Sequence, residues 1–196
     1  MEDRFADTGS ALSDFATHFV VHCPKCQGKA HISPGGRLTC TACFHVEQPG
    51  RWYGAATAVV QVKCRECHAP ILRTGSWDER WKKLSVHCEQ CGDDCEYEAS
   101  ITKHPFCDGK KTDPVYGLPL WLQEEFRGEA MWAFNYEHLA ELKQYIGAKL
   151  RERGIFPRNT IKKNSAMVSR LPAFIKKASN REDLLKCIDS LEKKSG

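Results

Sequence analysis

The opening 17 residues mix small, polar and isolated aromatic positions without a sustained period, which predicts a loosely held arm with a short helical stretch. From Phe19 the pattern shortens. Phe19-Val20-Val21-His22, Lys29-Ala30-His31-Ile32 and Arg37-Leu38-Thr39 read as strands around the turn Ser33-Pro34-Gly35-Gly36, and Phe44-His45-Val46-Glu47 leads the chain away. This predicts a three-stranded antiparallel unit over residues 18–50. Gln48-Pro49-Gly50-Arg51 marks a boundary. A second unit over 55–109 begins with the β-branched run Thr57–Val62, turns at His68-Ala69-Pro70 into Ile71-Leu72-Arg73, and returns through Lys83–His87. The insert Thr74–Trp81 carries Trp77 and Trp81 among charges. Such rings either cover a small core or stand exposed as stacking residues.

Beyond residue 113 the periods change. Leu120-Trp121-Leu122-Gln123 and, across Arg127-Gly128, Ala130–Phe134 predict a β-hairpin with aromatic residues on both faces. Asn135 is placed to cap a helix whose apolar positions Leu139, Leu142, Ile146 and Leu150 recur at spacings of three and four, with Gly154 and Pro157 as its stop. Pro172 opens a short helix through Lys177. Asn180 is placed to cap a last helix with the stripe Leu184, Ile188, Leu191, on which Cys187 reads as core. Residues 113–196 therefore read as a hairpin plus a helical module.

Cysteine gives these weak elements a reason to fold. Of eleven cysteines, ten lie between Cys23 and Cys107, and eight form pairs two residues apart: Cys23/Cys26, Cys40/Cys43, Cys64/Cys67 and Cys88/Cys91. Thirteen residues separate the first two pairs and twenty the last two. Two thiolates at this spacing grip one side of a Zn²⁺ ion, and a second pair returned by a hairpin closes a tetrahedron. The fold class that follows is a small metal-stabilised α+β chain: two tandem antiparallel zinc ribbons, then the hairpin and helices. A thioredoxin-like redox pair is the rival reading, but it needs one pair beside a βαβ pattern. Gly28 is expected to take the positive φ that ends the first turn, as Gly92 does in the last.

Cys95, His104 and Cys107 form a possible third metal site, because His104-Pro105-Phe106-Cys107-Asp108-Gly109 has the layout of Cys23-Pro24-Lys25-Cys26-Gln27-Gly28. An ordinary turn with a buried thiol is the preferred reading, since no clear fourth ligand presents itself. His45-Val46-Glu47 with Cys64 and Cys67 resembles a zinc-deaminase signature. No proline precedes that cysteine pair, and the quartet already employs it. Two all-cysteine sites leave no open coordination position, and no Walker A loop, H-E-x-x-H or G-x-G-x-x-G occurs, so the expectation is a protein that is not an enzyme.

Charge divides the chain. Residues 1–140 hold 15 Lys+Arg against 19 Asp+Glu, and residues 141–196 hold 14 against 6. The C-terminal cations Lys149, Arg151, Arg153, Lys162, Lys163, Lys176 and Lys177 are candidate phosphate contacts, with Trp77 or Trp81 for stacking. The start Met1-Glu2-Asp3-Arg4 is unlike an export signal, and there is no run of 18 apolar residues. Both predict a cytoplasmic protein without membrane partner, and reduced thiolates.

With both quartets in view, residues 19–100 resemble the zinc ribbons of general transcription factors, RNA polymerase subunits and the replication-restart helicase. The last eighty or so residues look like the tail of uncharacterised bacterial zinc-ribbon proteins, through Asp113-Pro114-Val115-Tyr116-Gly117-Leu118-Pro119-Leu120-Trp121. The resemblance implies two Zn²⁺ per chain and a partner that is nucleic acid or a larger protein complex. The expected function is nucleic-acid binding through the basic C-terminal surface and exposed aromatics. The alternative is an adaptor that docks onto protein machinery.

Overall fold

The computed structural model describes residues 4–77, 83–152 and 167–194 as a small α+β chain. Two compact units divide it, one of Met1–Pro49 with Pro119–Gly196 and one of Gly50–Leu118. The first quartet thus shares a unit with the C-terminal helices.

The arm holds the short helix expected of it, α1 (Leu12–Phe15), and also a strand, β1 (Arg4–Ala6), whose Phe5 is buried with its ring edge-on to Tyr145 at 5.4 Å. Isolated aromatics without a period gave no sign of this, because their partners lie far along the chain. Next come β2 (Phe19–His22), β3 (Lys29–Ile32), β4 (Leu38–Cys40) and β5 (Val46–Glu47), an antiparallel sheet in that order. The sheet has four strands rather than three, because the chain leaving Cys43 folds back so that Val46 pairs Thr39 and Glu47 pairs Leu38.

In the other unit, β6 (Ala56–Lys63) and β7 (Pro70–Ser76) form the long hairpin, and β8 (Lys83–His87) pairs with β9 (Asp94–Glu98). A further strand, β10 (Ser100–Lys103), lies on the other side of β6, and β11 (Phe106–Cys107) turns onto β12 (Lys110–Lys111). The buried cluster here is Val60, Cys64, Ile71, Val86, Cys88 and Tyr97. Two of those six are quartet cysteines, so this core is built around its metal ligands.

Asp113 closes the unit. Its carboxylate accepts the backbone N–H groups of Val115 (2.8 Å), Tyr116 (2.7 Å) and Leu118 (2.7 Å). Burial pushes this carboxyl above its ordinary range, while the three donors pull it back.

The chain then returns to the first unit. Leu120 bridges Val21, while the Pro119 and Val20 carbonyls accept from His22 and Trp121, so this segment lines the outer edge of β2. The hairpin is accordingly displaced from its expected position: it comprises β13 (Gln123–Phe126) and β14 (Glu129–Trp132), joined at Arg127-Gly128. Helix α2 (Tyr136–Gly147) is capped by Asn135, which accepts the His138 N–H at 2.9 Å. It does not reach Leu150. That residue is exposed in β15 (Leu150–Glu152), which pairs in parallel with β1. Arg181 donates to the Ile146 and Ala148 carbonyls and so covers the C-terminal end of α2. Gly154 and Pro157, the expected stop, lie outside the described residues.

Helices α3 (Met167–Arg170), α4 (Ala173–Lys176) and α5 (Arg181–Lys193) complete the unit. Leu184, Ile188 and Leu191 are buried with Leu139, Leu142 and Ile146, as their spacing requires. The Asn180 side chain does not cap α5. It accepts from Arg127 and donates to the Phe174 carbonyl instead, because it is buried between those segments.

Candidate metal centres

The four CxxC turns are built alike. In each, the first cysteine's N–H donates to the carbonyl five residues on: Cys23 to Gly28, Cys40 to His45, Cys64 to Ala69 and Cys88 to Asp93, all at 2.8–2.9 Å. The residue after the second cysteine is left-handed each time, with φ of 60° at Gln27, 56° at Phe44, 60° at His68 and 77° at Gly92. The expectation for Gly28 is therefore corrected: Gln27 takes the positive φ. Gly28 sits where space is tight, since a Cβ there would meet Cys26 Sγ at 3.3 Å and Ala42 Cβ at 3.2 Å.

These turns bring the sulfurs together. Cys23, Cys26, Cys40 and Cys43 form one set and Cys64, Cys67, Cys88 and Cys91 another, each with all ligand atoms within 4.8 Å of one another. Cross-pair Sγ separations are 3.7 Å (Cys23–Cys43), 3.5 Å (Cys26–Cys40), 3.7 Å (Cys64–Cys91) and 3.6 Å (Cys67–Cys88). The edge of a tetrahedron with Zn–S bonds of about 2.3 Å is about 3.8 Å, so the donor sets fit Zn²⁺. All eleven cysteines are free of disulfides. The first cysteine of every pair is buried and the second exposed, so each centre sits at the surface.

The electrostatics of the sulfurs point the same way. Burial opposes it, but backbone N–H groups of Cys43 and Ala42 bring Cys40 down to about 6. Those of Cys67 and Glu66 bring Cys64 down to about 7. Although the Gly28 N–H pulls Cys26 down, Cys43 and the other neighbouring sulfurs push it up to about 12. Cys91 likewise rises to about 12 against the Asp93 N–H, through burial and then Cys67 and Cys88. Four sulfurs this close share protons unevenly. A central dication replaces those protons, and zinc affinity therefore rises with pH.

The possible third site is not assembled. Cys95 Sγ donates to Asp93 at 2.8 Å, His104 Nε2 lies 2.6 Å from the Thr57 hydroxyl, and Cys107 faces Asp108 at 3.8 Å. Among the described residues the metal-holding groups are the two quartets. The segment that imitates a CxxC turn is a two-residue hairpin turn, with φ of 50° at Asp108 and 74° at Gly109. His45 in turn pairs with Glu47 at 3.1 Å, and Cys64 and Cys67 are committed to their quartet, which removes the deaminase arrangement.

Some of the candidate nucleic-acid residues lie among the described residues. Lys177 is exposed just past α4, next to Lys176, whose Nζ donates to the Ser169 carbonyl at 2.8 Å. Lys149 is exposed after α2, and the backbone of Arg151 pairs Phe5. Trp77 is half-buried and its backbone N–H donates to the Ala56 carbonyl. Arg153, Lys162, Lys163 and Trp81 lie outside the described residues. Two aromatics that pattern alone did not single out are exposed: Phe44 at 82% and Phe106 at 45%. Their signal was faint, an apolar residue inside or beside a metal turn.

These centres define a zinc-binding protein with two tetracysteine sites. Set against known protein families, curated proteins and solved structures, the chain matches none of them. No helix among the described residues is long and apolar enough to cross a membrane.

Proposed function

We propose that this is a non-enzymatic tandem zinc-ribbon protein that binds nucleic acid with little sequence preference. The observation that carries the reading is the charge separation, 14 Lys+Arg against 6 Asp+Glu in residues 141–196. Three of those six acids are paired: Lys143 of the same segment holds both Asp189 (2.8 Å) and Glu192 (2.6 Å), and Arg127, from outside it, holds Asp183 (2.7 Å). The ribbons serve as metal-stiffened scaffolds, and Lys149, Arg151, Arg153, Lys162, Lys163, Lys176 and Lys177 supply phosphate contacts. A mobility-shift titration at two salt concentrations tests it. Affinity falls steeply with salt if the reading holds, and absent or salt-insensitive retention of DNA and RNA overturns it.

One observation favours a second reading, the protein adaptor. Phe44 is a bulky, 82% exposed side chain at a left-handed φ of 56°, with Val46 beside it at 46% exposure. The left-handed φ belongs to the metal turn, since Gln27 and His68 share it, but a large apolar ring held in solvent at that place is a surface that an apolar pocket of a partner protein can cover. A pull-down that recovers one stoichiometric protein after nuclease, lost with Phe44→Gly while both zinc ions remain, supports the adaptor.

A further inference from the structure

We infer that the nucleic-acid reading has a second surface, at the end of unit Gly50–Leu118 that carries β11 and β12, and that this surface takes single strands. The inference rests on that reading, but its residues are different ones.

Backbone hydrogen bonds lay three segments side by side. The His104 N–H donates to the Ala55 carbonyl, the Thr112 N–H to the Pro105 carbonyl, and Lys103 registers with Ala56. Along these segments cations lie over rings: Lys103 Nζ is 4.4 Å from the Trp52 ring centre, the Arg51 guanidinium 4.6 Å from Tyr53, and Lys111 Nζ 4.6 Å from Phe106. Phe106 keeps 45% of its surface exposed even so.

Charge selects the partner. Residues 51–56 and 103–112 hold the cations Arg51, Lys103, Lys110 and Lys111 against one acid, Asp108. The rest of the unit has the opposite balance, with Glu66, Glu89, Asp93, Asp94, Glu96 and Glu98 around the second quartet. Within one unit the thiolate end is thus acidic and the aromatic end basic. A polyanion is directed to the basic end. Burial holds the Lys111 ammonium below the usual lysine range, and a phosphate beside it favours its charged form.

Trp52 is buried and Tyr53 half-buried, so Phe106 is the exposed ring among these cations, and it distinguishes single strands from duplex. A duplex hides its base faces, whereas an unpaired strand offers them for stacking while the cations follow its phosphates. A purely electrostatic surface has no use for Phe106 exposed on a two-residue hairpin.

The test uses the full chain, zinc-loaded, with a fluorescent 20-mer of thymidines and a duplex of equal length as probes. Wild type binds the single strand more tightly, and Phe106→Ala lowers that affinity roughly fivefold or more with the duplex affinity unchanged. Lys103→Ala with Lys110→Ala flattens the salt dependence for the single strand, whereas Lys176→Ala with Lys177→Ala weakens both probes alike. A retained stoichiometry of two zinc ions shows that each variant is folded. If the Phe106 and Lys103/Lys110 variants bind like wild type while the Lys176/Lys177 variant weakens, this surface is wrong and the nucleic-acid reading stands. If the duplex is bound as tightly as the single strand, the surface is wrong as well. If wild type retains neither probe, both fall.

Discussion

His138 shows how one buried side chain ties the first unit to pH. It lies inside α2, its ring stacked on Phe15 at 5.1 Å, and its Nδ1 accepts the Phe134 N–H at 3.2 Å. Accepting at Nδ1 requires the neutral ring, and burial brings its pKa down from 6.5 to about 4. Between those values the unfolded chain binds a proton that the folded chain refuses. This contribution to stability is therefore complete above 6.5 and is lost as pH falls toward 4, amounting to about 3 kcal/mol at the acid end. An NMR titration should find the His138 ring still neutral at 6.5 and half protonated only when pH reaches about 4. Titration near 6.5 would show that the ring is solvated.

At the scale of elements, turns decide more than strands. Gly117 has a φ of 72°, and a Cβ there would lie 2.7 Å from Gly54 N and 2.8 Å from both Gly54 Cα and Trp52 Cε2. Gly128, at the tip of the β13–β14 hairpin, has a similar φ of 82° but nothing within 4 Å. The two glycines separate conformational cost from close approach. Gly128→Ala should cost about 1 kcal/mol, the left-handed penalty alone, whereas Gly117→Ala should cost several times that because backbone must move. Urea denaturation of the zinc-loaded variants checks the ordering, and equal losses would refute the packing of Gly117 on Gly54. The Asp113–Leu118 stretch is, by the same geometry, a structural closure around Asp113.

At the scale of the whole molecule the two units depend on metal differently. The core of Leu139, Leu142, Ile146, Leu184, Ile188 and Leu191 contains no quartet cysteine, while Cys64 and Cys88 belong to the cluster inside the other unit. A chelator should therefore leave most helical circular dichroism in place and collapse hydrogen-exchange protection over residues 56–103. Metal analysis should find two zinc ions per chain, falling to one in Cys64→Ser. A loss of helix as complete as the loss of strand would show that one metal-dependent core spans the chain.

What could be read from the residues in order was local. Pairs two apart in sequence make the same turn wherever they occur, so both quartets were legible, as were the Asn135 cap and the Leu184, Ile188, Leu191 stripe. The same locality misled where a partner was distant. Leu150 fits the period of α2, yet it leaves the helix because β15 pairs with β1. Leu120 alternates like a hairpin strand, yet it is held by Val21. Asn180 is a good cap residue that Arg127 and the Phe174 carbonyl claim first. Cys95, His104 and Cys107 have ligand chemistry, and only tertiary structure could assign them other partners. Metal turns are decided by covalent spacing, which sequence records directly. Pairing across a hundred residues is decided by which surfaces can be buried together, and no short window contains both sides.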